Sequence, residues 1–317
     1  MRNTMYRHFL VPVGDMGSCI EATGHAVAFA QSMGARVTFL PILYRHVATL
    51  HRPASRAGDL TERTLELLAR AEAAARAQGV PYSSIAASEE TSFDSIVAAA
   101  IKCGCDLICI APGQRLTEAG DVAPAPSDDS GTVNVAVLIF AADSRPATSR
   151  AIGRLLDEHR AIADTVHALL DMVRTARAAG QQPEPISMRE TVKSLRDLQI
   201  RRHSLKEDAG LFPRLRERTC VADAELDELE CRHQRDKQLL DELAELSELV
   251  GRDSAPRILA GRLEQALGAY AQFTWEYLGR EEGVVLPIAR RYLRDEDWDD
   301  IAMAFDATAA NSATGQT

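Results

Sequence analysis

The apolar positions follow two different patterns in the two halves of the chain. In the first half they form short unbroken runs. Phe9-Leu10-Val11-Pro12-Val13 has strand length, as do residues 36–43, 106–111 and 133–140, with a weaker segment at 81–87. Between them lie helical stretches at 20–33, 60–79 and 92–103, the first two closed by Gly34 and Gly79. Unbroken apolar strands alternating with helices predict a doubly wound α/β domain, an open parallel sheet covered on both faces. In the second half the apolar residues step by three and four. Leu155, Ile162, Val166, Leu169 and Val173 make one stripe, Leu226, Leu229, Leu240 and Leu243 another, and Leu263, Leu267 and Tyr270 a third. These predict amphipathic helices of an all-α up-down four-helix bundle. The stripe around residue 203 is the least regular.

Several polar residues fall in core slots of these stripes: His159 in the first, His233 in the second, Tyr277 and Glu281 in the third. Burying an unpaired polar group is costly, so each must meet a partner inside. An internal repeat suggests which. His203 is followed by Glu207 after four residues and Pro213 after ten, and Tyr277 by Glu281 and Pro287 at the same distances. The two stretches lie 74 residues apart, and so do His159 and His233. A shared offset points to a duplicated helical hairpin. Residues i and i+4 project from one helix face, so each copy presents two donors to one point. One such pair is commonly a surface feature of a charged helix. Two copies with two further histidines in register are better explained by a buried metal site built from His159, His203, Glu207, His233, Tyr277 and Glu281, since imidazole and carboxylate suit iron, zinc or manganese.

On these motifs, residues 150–306 resemble the hemerythrin-like (HHE cation-binding) family. The words that carry the resemblance are Asp157-Glu158-His159-Arg160, His203 with Lys206-Glu207 and Leu211-Phe212-Pro213, His233, and Arg280-Glu281-Glu282 with Leu286-Pro287. The tail Asp295-Glu296-Asp297-Trp298 is similar to the family's closing segment. The resemblance implies a four-helix bundle with a non-haem di-iron centre. His159, His203 and His233 would be histidine ligands, and Glu207 and Glu281 bridging carboxylates. It also implies a small partner such as O2, NO or peroxide. The sequence departs from the family at Tyr277, where a histidine is expected, and at Ser204, which replaces the second histidine of a pair. Phenolate is a hard anionic donor that favours ferric iron, so a ligating Tyr277 would disfavour reversible O2 carriage. Alternatively, Tyr277 fills its slot by packing and one metal is retained. Asp236, one turn from His233, is a candidate to orient its ring. His167 is a candidate for a capping or peripheral role.

The first half resembles the universal stress protein family over residues 6–140. The resemblance rests on Leu10-Val11-Pro12-Val13-Gly14-Asp15, Gly34-Ala35-Arg36-Val37-Thr38 and Cys105-Asp106-Leu107-Ile108-Cys109-Ile110. Nucleotide-binding members carry an Asp directly after the first strand and a glycine-rich loop after the fourth. Here Gly14 holds the Asp position, and Pro112-Gly113-Gln114-Arg115-Leu116-Thr117 replaces the loop. Such loops offer backbone N–H groups and a helix start to phosphates. No ATP binding is therefore expected, and the domain is expected to dimerise or dock.

The resulting layout is an α/β domain over 1–140, a linker at 141–150 rich in Ala, Ser and Pro, a bundle over 151–306 and a disordered small-polar tail at 307–317. A formal charge of −10 argues against nonspecific nucleic-acid binding. The absence of long apolar runs or a signal-type N-terminus leads to an expected cytoplasmic location without membrane association. The six cysteines show no zinc-type spacing. The functional expectation is metal-dependent sensing of oxygen, NO or redox stress by a homodimer formed through the α/β domain. The alternatives are an oxidoreductase consuming peroxide or NO, and an iron-storage or structural bundle.

Overall fold

The computed structural model describes residues 6–42, 57–87, 92–111, 135–140, 145–252 and 256–314. The chain divides into two compact units, one comprising 1–142 with 279–287, the other 143–278 with 288–317.

The first unit is built on β1 (His8–Val13), β2 (Arg36–Pro41), β3 (Tyr82–Ser84), β4 (Leu107–Ile110) and β5 (Ala136–Ile139), all parallel in the order β3-β2-β1-β4-β5. Every residue of β1 is buried, because helices cover both faces of the sheet. Phe9, Val11 and Val13 pack with Ala26 and Val27 of α1 (Gly17–Met33) and Leu67 and Ala71 of α2 (Ala57–Ala77). The alternate residues Leu10, Leu40, Ile108 and Ile110 pack with Ile96 and Ala100 of α3 (Phe93–Cys103). The doubly wound reading of the sequence therefore holds. Asp106 pins the start of β4 to that of β1, its carboxylate accepting the backbone N–H groups of Arg7 at 2.8 Å and His8 at 3.0 Å. The segment 112–129, which replaces the phosphate loop, lies outside the described residues.

The second unit is helical. It contains α4 (Pro146–Ala178), α5 (Pro185–Arg196), α6 (Phe212–Arg218), α7 (Asp223–Leu249), α8 (Pro256–Arg280), α9 (Leu286–Tyr292) and α10 (Asp295–Thr314), with α8 running on through residues 279–287 into α9. The leucines and valines of the sequence stripes form its core, with Leu155, Val166, Leu226, Leu229, Leu263 and Leu267 all at most 1% exposed. Two helical runs are not purely α. The first is π-helical over Asp197–Ser204 and Glu207–Leu211, the second over Glu281–Val285. The Phe212 N–H reaches back five residues to the Glu207 carbonyl, and the Leu286 N–H reaches the Glu281 carbonyl. In each case proline follows, at 213 and 287. Proline has no N–H to bond the carbonyl four residues back, so the ladder there is already broken and an extra residue is wound in. This is why the stripe around residue 203 has an irregular period.

Two boundaries differ from the sequence reading. The helix expected after the linker begins earlier, with Pro146 in its first turn, where a missing N–H costs nothing. The stretch expected to be disordered from 307 onward continues α10 to Thr314, since its alanines are strong helix formers. No described helix is long and apolar enough to cross a membrane.

Gly34 and Gly104 close α1 and α3 in the left-handed region, each at φ 65°. Gly34→Ala and Gly104→Ala should each destabilise the protein by about 1 kcal/mol in chemical denaturation, because a Cβ strains that conformation.

Candidate metal centre

The π turn that begins at Glu207 aims a fully buried carboxylate into the bundle core. Its two oxygens face different neighbours. Oε1 lies 3.5 Å from Nε2 of His203. Oε2 lies 3.1 Å from Nε2 of His233 and accepts a hydrogen bond from the Tyr277 hydroxyl. That hydroxyl is also 2.8 Å from His233 Nε2. Glu207, His233 and Tyr277 thus converge as one donor set, and all three are at most 2% exposed. His159, His203 and Glu281 converge as another: each is buried, and their ligand atoms lie within 4.8 Å of one another. The rings of His159 and His203 meet edge to face, with centroids 4.8 Å apart. All six residues predicted from the repeat therefore fall into two adjacent sets, and Glu207 faces both.

The donors fit a metal pair. Two imidazoles with carboxylates, or an imidazole with a carboxylate and a phenol, are sets that hold iron, zinc or manganese. A cation at that point would offset the buried negative charge of the two carboxylates. Phe212 lies flat against His233, with ring planes 5° apart and centroids 5.9 Å apart, which leaves little rotational freedom to that imidazole.

The family comparisons agree with this geometry. Residues 150–289 match the model of the Hemerythrin HHE cation binding domain, and residues 5–120 match the Universal stress protein family. The chain thus joins a universal stress protein-like segment to a hemerythrin-like one. No curated protein matches the sequence.

Within the hemerythrin-type domain, the neighbours of the donor sets differ from those suggested by the sequence. Nδ1 of His233 is held by Asp208 at 2.9 Å, not by Asp236. On a regular α-helix, Asp208 would point about 100° away from Glu207. The wider π turn lets consecutive residues approach the same histidine, a juxtaposition that helical spacing does not predict. Asp236 is instead buried near Tyr270, His233 and His203. The Tyr270 hydroxyl interacts with its carboxylate, although neither Asp236 oxygen completes a hydrogen bond among the described residues. His167 stands apart from both sets, stacked on Trp275 with centroids 5.3 Å apart.

Two of these groups have displaced ionisation. Burial would lower the pKa of His233, but its hydrogen bonds to Asp208 and Glu207 outweigh that and push it up to about 9. Burial raises Asp236 to about 7, against the opposing influence of Tyr270 and the nearby histidines.

Both displacements act in the same direction on the metal-free protein. The raised His233 pKa stabilises the fold fully below about pH 6.5, and that contribution is lost as pH rises through about 9. The raised Asp236 pKa imposes a cost that develops between about pH 4, the unfolded value, and about pH 7. Thermal unfolding of metal-free protein should therefore show stability falling as pH rises from 5 to 9. Asp236→Asn should be more stable than the parent at pH 8, with the gap closing toward pH 4. Equal stability of the two proteins at pH 8 would contradict the assignment.

Proposed function

We propose that the hemerythrin-type domain binds a non-haem di-iron centre and serves as a redox or gas-responsive sensor. One metal would be held by His159, His203 and Glu281, the other by His233, Tyr277 and Glu207, with Glu207 shared. The observation that carries this reading is the placement of the two Glu207 oxygens, one toward each set. When bound, such a centre supplies reversible one-electron chemistry and open positions for a small ligand such as O2, NO or peroxide.

The residues argue for sensing over O2 carriage. Tyr277 faces Glu207 and His233 through its hydroxyl, so its phenol is placed to lose a proton and act as an anionic donor. A phenolate stabilises the ferric state, and reversible O2 carriage needs an accessible ferrous one. The protonated His233 of the metal-free protein must release its proton when a metal binds. Metal affinity should therefore rise with pH up to about 9. Consumption of peroxide or NO is the competing use of the same residues, and turnover distinguishes it.

The test is metal content and visible absorption of the parent and Tyr277→Phe. The proposal predicts two irons per chain and a phenolate-to-iron absorption band in the parent that is absent from Tyr277→Phe. One metal per chain with identical spectra would show that Tyr277 only packs in its slot. Peroxide-dependent O2 release well above that of free iron would replace sensing with an enzymatic role.

A further inference from the structure

His203 is flanked on its far side by an ion pair that lies outside both donor sets. While Nε2 of His203 faces Glu207, its Nδ1 lies 3.7 Å from Oε2 of Glu158, and the other Glu158 oxygen accepts a hydrogen bond from the Lys206 ammonium. Lys206 is only 7% exposed, and its ammonium sits 5.2 Å from the centre of the Phe305 ring. Phe305 belongs to α10, which follows the stretch matched to the hemerythrin family and is fastened to the end of α6. There the Arg218 guanidinium donates two hydrogen bonds of 2.8 Å to Asp297.

We infer that Glu158 is a positioning residue for His203, that Lys206 sets the charge it presents, and that Phe305 of α10 shields the pair from water. The inference rests on the metal-binding reading above. A carboxylate at Nδ1 fixes the tautomer, keeping the proton on Nδ1 and leaving the Nε2 lone pair toward the centre. It also makes the imidazole a stronger donor. Lys206 moderates that effect, because its positive charge cancels part of the carboxylate's field. The two residues therefore have opposite influences on the electron density at His203. Shielding by Phe305 matters because a charge pair interacts more strongly where water is excluded. In this arrangement a helix beyond the matched family region tunes a ligand within it.

The opposite signs provide the test. The reduction potential of iron-loaded full-length protein would be measured at pH 8 for the parent, Glu158→Gln and Lys206→Met. Glu158→Gln removes negative charge behind His203 and should raise the potential. Lys206→Met leaves the carboxylate uncompensated and should lower it. A purely structural pair would move both in one direction or neither. A second readout uses zinc-loaded protein. The His203 Nδ1–H should be a slowly exchanging NMR resonance in the parent and in Glu158→Gln, whose amide oxygen still accepts, and should exchange rapidly in Glu158→Ala. Zinc affinity of Glu158→Ala should fall roughly tenfold. If the parent binds neither iron nor zinc, the metal reading fails. If metal binds but the potentials do not shift in opposite directions and the Nδ1–H is unprotected, the positioning role alone is overturned.

Discussion

The site depends on one constraint, a carboxylate buried in a helical core at a place where the helix changes pitch. Glu207 is fully buried, and its carbonyl takes the five-residue hydrogen bond that opens the π turn. A buried carboxylate is tolerated only with compensating positive charge or hydrogen-bond donors. His203, His233 and Tyr277 gather around it for that reason. The π turn lets Glu207 and Asp208 approach His233 together, so the residues that compensate the carboxylate are also held in place by its neighbour. Proline at 213 makes the wider turn inexpensive, because the hydrogen bond it sacrifices is unavailable to a proline.

The same logic recurs at the second copy of the repeat. Glu281 opens a π turn four residues after Tyr277, as Glu207 does after His203, and Pro287 follows as Pro213 does. The duplication thus preserves a local backbone device as well as a pair of side chains. The copies are not chemically equivalent, since His203 in one corresponds to Tyr277 in the other. One set is rich in imidazole and the other includes a phenol, which would give the two halves of the proposed centre different electronic character.

Much of this architecture was legible in the sequence. Unbroken apolar runs gave away the buried parallel strands, and steps of three and four gave the bundle helices. The 74-residue offset picked out the six buried side chains that the structure gathers into two sets, because duplication and helical spacing are properties of order along the chain. The features that escaped depend on departures from regular spacing or on contacts between distant segments. Asp208 was hidden because α-helical periodicity points it away from Glu207. Glu158 and Lys206 stand in the sequence only as members of the family words, with no role of their own, since nothing along the chain shows that they meet 48 positions apart beneath Phe305. Asp236 was noticed for its spacing from His233, but its burial, and not an orienting bond, is what distinguishes it.

The most direct measurement is anomalous X-ray scattering from crystals of the iron-loaded protein. The account predicts two iron peaks separated by about 3.5–4 Å on either side of the Glu207 carboxylate. One should lie against the Nε2 atoms of His159 and His203, the other against His233 Nε2 and the Tyr277 oxygen. A single peak, or iron bound without Glu207 between two sites, would contradict it.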